Sequence, residues 1–144
     1  MSMQPPPPPS PAGGAGGAVP PAINNPLIDY WKLVVLQRYA KFDGRARRAE
    51  YWWFTLGDVI IFVVLGILVQ VSNVFFVVYL IAALALIVPG LAVTIRRLHD
   101  TDKSGWFVLF ALIPFVGGLI LLVFMLIDST RGTNQYGTSE KYPV

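Results

Sequence analysis

Three long apolar segments, separated by short polar stretches, constrain the fold of this chain more than any other feature. They cover residues 51–71, 74–95 and 106–127. A helix that crosses a bilayer needs about 20 mostly apolar residues, and each segment reaches that length. Charged residues make up only 13% of the chain, whereas soluble domains average about 25%. The sequence therefore predicts an all-α membrane protein with three transmembrane helices.

The connections between the segments indicate how they pair. Only Ser72 and Asn73 separate the first two, so these should form a tight antiparallel hairpin. The third carries Pro114, Gly117 and Gly118 near its middle, and proline removes a backbone hydrogen bond and kinks or breaks a helix. A full third span is the main prediction. A broken, re-entrant third segment with both ends on one side is the alternative.

A shorter amphipathic, interfacial helix is predicted before the first span, over residues 26–43. Asn25 suits the N-cap, and Pro26 suits the first helical position. Asp43–Gly44 should end this helix, since glycine favours the left-handed cap. Apolar residues recur at three- and four-residue steps and so form one stripe, which can lie in the membrane interface or pack on the spans. The stripe consists of Ile28, Trp31, Val35, Tyr39 and Phe42.

Both ends of the chain lie outside this membrane domain, which is predicted over residues 25–138. Residues 1–24 are rich in proline, glycine and alanine. Such a composition cannot bury enough apolar surface to offset the entropy lost on ordering. We expect residues 1–24 to form a disordered tail and residues 139–144 to form a short C-terminal tail.

The distribution of cations predicts the orientation in the membrane. Short loops with an excess of lysine and arginine stay in the cytoplasm. Such residues precede the first span and reappear after the second, at Arg96, Arg97 and Lys103, whereas Ser72–Asn73 has none. The N-terminus and the 96–105 loop are therefore predicted to be cytoplasmic. Three full spans would place the C-terminus on the other side.

Four motifs occur in order with compatible spacing. The first is Gly44-Arg45-Ala46-Arg47-Arg48-Ala49-Glu50-Tyr51-Trp52-Trp53-Phe54. The second is Arg96-Arg97-Leu98-His99-Asp100 with Ser104-Gly105-Trp106, the third Pro114 with Gly117, and the last Gly132, Asn134, Tyr136 and Gly137. Together they resemble the domain-of-unknown-function family numbered 805, over residues 26–138. The resemblance implies a multi-pass protein of the bacterial inner membrane. It implies no activity, so no catalytic residue carries over.

The polar segment between the second and third spans holds the candidate site. In one interpretation, Asp100 and Asp102 pair with arginines from both spans and form a polar clasp at the cytoplasmic face. In the other, the converging cations bind an anionic lipid headgroup. The residues assigned to this clasp or lipid site are Arg45, Arg47, Arg48, Arg96, Arg97, His99, Asp100, Asp102 and Lys103.

Metal and catalytic chemistry fit this segment less well. Residues 100–105 match the first half of a calcium loop, but such a loop needs a bidentate Glu at its twelfth position, which is Ala111 here. His99 could act as a base with Ser104 or Thr101 as nucleophile, yet Ser104 is well placed to cap the third helix. We predict no catalytic residue, no cofactor and no metal site, with a lipid-modifying membrane enzyme as an alternative.

Asp58 is the one carboxylate within the first apolar segment. Carboxylates inside spans often mark ion paths, so Asp58 is the candidate functional group of an oligomeric transporter or channel, the alternative function. The main prediction is a small multi-pass membrane protein with a structural, regulatory or lipid-contacting role. Its expected partners are membrane lipids, anionic ones included, and copies of itself or other membrane proteins. No nucleic-acid partner is expected.

Overall fold

The two longest helices form a hairpin, as the sequence predicts. A computed structural model describes residues 22–142 of the chain. Helix α2 covers Arg48–Val71, helix α3 covers Val74–Asp100, and Ser72 and Asn73 join them. The helices contain 24 and 27 residues. At 1.5 Å per residue each is longer than the roughly 30 Å hydrocarbon core of a bilayer.

The outer surface of this hairpin is strongly apolar. Both helices are long and apolar enough to cross a membrane. Large side chains along them are exposed, including Val71 at 77%, Val74 at 72% and Leu84 at 70%. A soluble protein rarely leaves so large a contiguous apolar surface in water. Lipid is the environment that suits these two helices.

The helix before the first span is shorter than predicted. Helix α1 covers Pro26–Lys32, and its N-cap Asn25 accepts a hydrogen bond from the Ile28 backbone N–H, as expected. A π-helical turn, Leu33–Gln37, follows and ends the helical stretch six residues before Asp43. The prediction of one helix over 26–43 is therefore wrong. The five-residue hydrogen-bond spacing of the π-turn disrupts the regular stripe on which that prediction rested.

This N-terminal segment packs on the helix hairpin. Its buried side chains are Tyr30, Leu33 and Val34, whereas Ile28, Tyr39 and Phe42 of the predicted stripe are exposed. Trp31 lies directly over Gly57 of α2, where an added Cβ would come within 2.6 Å of the indole Cδ1. The small core combines these elements, and its buried members are Val34, Ala46, Phe54 and Val93.

The third apolar segment is not one helix. A 3-10 helix covers Gly105–Leu112, and helix α4 covers Val116–Leu126. The prediction of a continuous helix over 106–127 is wrong because Pro114 forces the preceding residue out of the helical region, and Phe115 has a φ of 65°. The rings of Phe107 and Phe124 stack with centroids 5.9 Å apart. The two arms therefore run side by side, and the broken alternative describes their geometry.

The chain then returns to the end of α3. A short antiparallel hairpin pairs β1, Thr133–Asn134, with β2, Gly137–Thr138. The Thr130 backbone N–H donates to the Asp100 carbonyl over 3.0 Å. Ser139 is buried, so residues 139–142 are not a free tail. Of the predicted N-terminal tail, residues 1–21 lie outside the described residues.

Candidate functional site

A buried carboxylate at the end of α3 joins two arginines. Asp100 Oδ1 accepts from Arg45 Nε over 2.9 Å, and Asp100 Oδ2 accepts from Arg97 Nη1 over 2.7 Å. The Ser129 hydroxyl also donates to Oδ2. All three charged side chains are at most 2% exposed. Such charge-assisted, hydrogen-bonded pairs are the strong ones in a dry interior.

Arg45 has a hydrogen-bond acceptor for each of its three nitrogens. Beyond the Asp100 carboxylate, its Nη1 donates to the carbonyls of Gly132 and Gly137, over 2.9 and 3.1 Å. Its Nη2 donates to the carbonyls of Asp100 and Thr130. A guanidinium offers five N–H donors in a fixed fork, and here they bind the C-terminal segment. Arg45 therefore fastens residues 130–137 to the end of α3.

A second buried carboxylate, Glu50, lies in the first turn of α2. Its Oε1 accepts from Arg96 Nη1, and its Oε2 accepts from Arg38 Nη1 over 2.8 Å. Arg38 Nη2 also pairs with Glu140 Oε1 over 2.8 Å. Arg96 Nε donates to the Lys41 carbonyl over 2.9 Å. Glu50 thus joins the N-terminal segment, α2 and α3, and Arg38 extends the contact to the C-terminus.

Arg97 caps the C-terminal end of α4. Its Nη2 donates to the carbonyls of Met125 and Ile127. The last carbonyls of a helix lack partners within that helix and carry partial negative charge. An arginine side chain from α3 therefore satisfies them. We call the whole buried group the arginine clasp, and it consists of Arg38, Arg45, Glu50, Arg96, Arg97 and Asp100.

The clasp carries more positive than negative charge. Four of its members are arginines and two are acids, with Glu140 as an outer partner of Arg38. Within the described residues, the buried nitrogens Arg96 Nη2 and Arg97 Nε have no hydrogen-bond partner. Losing either acid would thus leave more buried cationic charge without compensation.

Burial and neighbouring groups shift the pKa of Arg38 and of Asp128, which lie outside the spans. Burial by itself would lower the pKa of Arg38, but the charges of Glu50 and Glu140 outweigh it and raise that pKa. Hydrogen bonds from Lys141 and then from Tyr142 lower the pKa of the Asp128 carboxyl. Arg38 therefore stays charged, and Asp128 stays ionised well into the acid range.

His99 lies beside the clasp under a tyrosine ring. Its Nδ1 is 3.0 Å from the Gly44 carbonyl, so this nitrogen carries a proton and donates. Its ring stacks on Tyr136, with centroids 3.9 Å apart and an interplanar angle of 5°. Asn134 Nδ2 donates to the His99 carbonyl over 2.9 Å. These contacts place His99 between the 44–46 loop and the C-terminal hairpin.

Four of the residues assigned to the site from the sequence lie at its edge. Arg48 is 3.5 Å from Asp128, and both side chains are about 40% exposed. Lys103 lies over the Phe124 ring. Asp102 is exposed and accepts a hydrogen bond from Gln135, not from an arginine. The prediction that it pairs with an arginine is therefore wrong. The buried Arg47 Nε has no hydrogen-bond partner among the described residues.

Several residues of the clasp, or in contact with the clasp or His99, were not assigned from the sequence. They are Arg38, Glu50, Ser129, Thr130, Asn134, Tyr136 and Glu140. Glu50 occurs in the first family-like motif, but its pairing with Arg38 and Arg96 had no signal in the sequence. The family-like motif at Gly132, Asn134, Tyr136 and Gly137 was the one available signal that this segment belongs to the site.

Asp58 lies about two turns further along α2 than Glu50, and it is not bonded to any residue of the clasp in the described chain. Its Oδ1 accepts from the indole Nε1 of Trp31 over 2.8 Å. It also lines a groove between α2 and α3. Residues 22–142 contain no group of three or more His, Cys, Asp or Glu side chains able to hold a metal ion.

The fold has two long apolar helices with exposed outer faces, and a buried ionic cluster connects them at one end. This arrangement defines a small helical membrane protein. The family described as "Protein of unknown function (DUF805)" matches residues 39–138. The chain belongs to this family, which confirms the resemblance seen in its motifs.

Relatives of similar length are known in Escherichia coli (strain K12). The inner membrane protein YhaI is 42% identical over 113 residues, which cover 78% of this chain and 96% of YhaI. The inner membrane protein YhaH is 42% identical over 119 residues, covering 77% and 96%. The uncharacterized protein YiiR is 31% identical over 137 residues, covering 73% and 89%. No solved structure matches the chain significantly. The chain is thus an inner-membrane protein, and its relatives' names assign no activity.

Proposed function

We propose that this protein is a structural or regulatory component of the inner membrane, without catalytic activity of its own. One observation carries the proposal: both buried acids of the clasp bind arginines from separate segments of the chain. Breaking a buried pair by removing one partner costs about 3–5 kcal/mol. The clasp therefore holds the N-terminal segment, the spans and the C-terminal hairpin in one arrangement that partners can recognise.

The clasp faces the cytoplasm in this proposal. Most cations lie at this end of the helices, and the Ser72–Asn73 turn at the other end has none. The broken third segment starts at Gly105 and ends beside Arg97, so it enters and leaves on one side. The N-terminus, the 96–105 loop and the C-terminus then share the cytoplasmic face.

Lipid contact is proposed at the rim of the clasp. Arg45, Arg96 and Arg97 are buried against protein acceptors, so they are poorly placed to meet a headgroup. A groove of about 440 Å³ lies instead between the start of α2 and the end of α4, and it is lined by Arg48, Ala49, Trp52, Trp53 and Leu126. Tryptophan favours the headgroup level, and exposed cations attract anionic lipid. Arg48 is thus the best-placed cation for an anionic headgroup.

Native mass spectrometry of the purified protein tests the lipid contact. Arg48→Gln should release at least half of the co-purified cardiolipin and phosphatidylglycerol while the protein stays monodisperse. Arg131→Gln is the matched control, because Arg131 is an exposed arginine that contacts the Tyr142 ring. Equal lipid content in wild type and Arg48→Gln would contradict the contact.

Two alternative functions have weaker support. Transport by an oligomer would use Asp58, and proteoliposome ion flux that falls in Asp58→Asn would favour it. A lipid-modifying enzyme would use His99 as base. The hydroxyls nearest to it in sequence already have structural contacts: Thr101 donates to the Leu98 carbonyl, and Ser104 accepts from the Trp106 N–H. These contacts favour the structural role.

A further inference from the structure

The groove between α2 and α3 combines a carboxylate with aromatic walls. It has a volume of about 500 Å³ and lies between Phe54, Asp58 and Phe62 of α2 and Gly90 and Thr94 of α3. Pockets that bind small molecules measure about 300–1,000 Å³ and are mostly apolar with a few polar groups. The groove has both properties. None of its lining residues belongs to the arginine clasp, and the proposed structural role does not use it.

Only one of the two carboxylate oxygens of Asp58 has a hydrogen-bond partner among the described residues. Asp58 lies ten residues after the start of α2, about 15 Å along the helix axis. Trp31 donates to its Oδ1, and Oδ2 has no hydrogen-bond donor among residues 22–142. A carboxylate at this depth is costly to leave without a partner. One oxygen therefore remains for a ligand.

The other polar groups of the groove also favour a cation. The Thr55 hydroxyl donates to the Tyr51 carbonyl over 2.8 Å, and the Thr94 hydroxyl donates to the Gly90 carbonyl over 2.7 Å. Because both hydroxyl hydrogens are bonded to carbonyls of their own helices, the hydroxyl oxygens can only accept hydrogen bonds from a ligand in the groove. The Tyr51 phenol is the one donor hydroxyl on this lining that is not used within a helix, so an anion would otherwise meet acceptors and a carboxylate here.

The walls indicate an organic rather than a metal cation. The rings of Tyr51, Phe54 and Phe62 line the groove, with Val59 and Val63 beside them. Aromatic faces attract organic cations, whereas hard metal ions need six or more oxygen ligands. We propose that this groove binds a lipophilic organic cation, with its charge beside Asp58 and its apolar groups against the aromatic walls.

Binding of tetraphenylphosphonium to the full-length protein tests this site. The protein is placed in phosphatidylcholine nanodiscs, and its binding is measured by equilibrium dialysis, with the binding to protein-free nanodiscs subtracted. We expect saturable binding of one cation per chain. Asp58→Asn keeps an oxygen for Trp31 but removes the charge, and it should weaken binding by about tenfold or more. Asp102→Asn removes the same charge at an exposed site outside the groove and should bind as wild type does.

Tetraphenylborate, which has the same shape and the opposite charge, should show no saturable binding to the wild type. This comparison keeps the test decisive if Asp58→Asn fails to fold. Absence of saturable tetraphenylphosphonium binding, equal saturable binding of both probes, or equal binding by folded Asp58→Asn and wild type would each overturn the proposal.

Discussion

Arg45 and Asp100 lie 55 residues apart in the chain, yet their side chains form a buried ion pair 2.9 Å long. The pair connects the loop before α2 to the last residue of α3. Arg45 then continues to the carbonyls of Thr130, Gly132 and Gly137. One side chain therefore links three parts of the chain that meet at one end of the helix hairpin.

Neutralising the second acid of the clasp should strongly destabilise the fold. Glu50→Gln leaves Arg38 and Arg96 without their shared carboxylate in a buried site. We expect a loss of about 3–5 kcal/mol, measured by tryptophan-fluorescence unfolding in detergent. Glu140→Gln removes the other acid that binds Arg38, but at a more exposed position. It should cost less than about 1 kcal/mol, and equal losses in both variants would contradict a buried clasp.

The close contact of α1 with α2 predicts different effects of alanine at two glycines. At Gly57 a Cβ would lie 2.6 Å from the Trp31 ring, whereas at Gly66 it would meet no atom within 4 Å. Gly57→Ala should force the indole away and cost about 1–3 kcal/mol, with a shift in tryptophan emission. Gly66→Ala should leave both stability and emission nearly unchanged. An unaltered Gly57→Ala protein would mean that α1 does not rest on this face.

Attachment of the C-terminus should depend on pH through Asp128. Lys141 and Tyr142 donate to its carboxylate over 2.8 Å each, which lowers its pKa below the unfolded value. This contribution is complete above the unfolded pKa of about 3.9 and is lost as pH falls through the lowered one. Asp128→Asn should therefore increase amide exchange across residues 130–142 at pH 7. As pH falls below the unfolded pKa the difference from wild type should shrink progressively, and a difference that stays constant across this range would exclude this carboxylate as its cause.

Cysteine labelling should report the side of each connection. The chain has no cysteine of its own, so single substitutions give no background. In intact spheroplasts, a membrane-impermeant maleimide should label Asn73→Cys but not Gln135→Cys, and both positions are exposed. Inverted vesicles should reverse this pattern. Labelling of Gln135→Cys in intact spheroplasts would instead indicate that the third segment crosses the membrane.

The features predicted correctly depend on local sequence. The two spanning helices follow from the length of apolar runs, and their two-residue turn follows from Ser72 and Asn73. The Asn25 cap follows from short-range hydrogen bonding. Pairing of Asp100 with an arginine three residues away also follows from helix geometry.

The features that were missed depend on distant contacts. Arg38 and Glu140 meet across 102 residues, and no local pattern indicates that pairing. The stacking of Tyr136 on His99 depends on how the third segment turns back. That turn follows from Pro114 and Phe115, and Gly117 allows it because a Cβ there would overlap the Phe110 carbonyl. Hydropathy alone does not distinguish such a turned segment from a full span.

A double-mutant cycle on Arg45→Gln and Asp100→Asn tests the central claim most directly. The free energy of unfolding is measured for the wild type, both single variants and the double variant, in one detergent. If the two side chains form a buried pair that organises the fold, the coupling energy should be at least about 1 kcal/mol. Effects that add to within about 0.5 kcal/mol would show that the two residues act independently, and would contradict the arginine clasp.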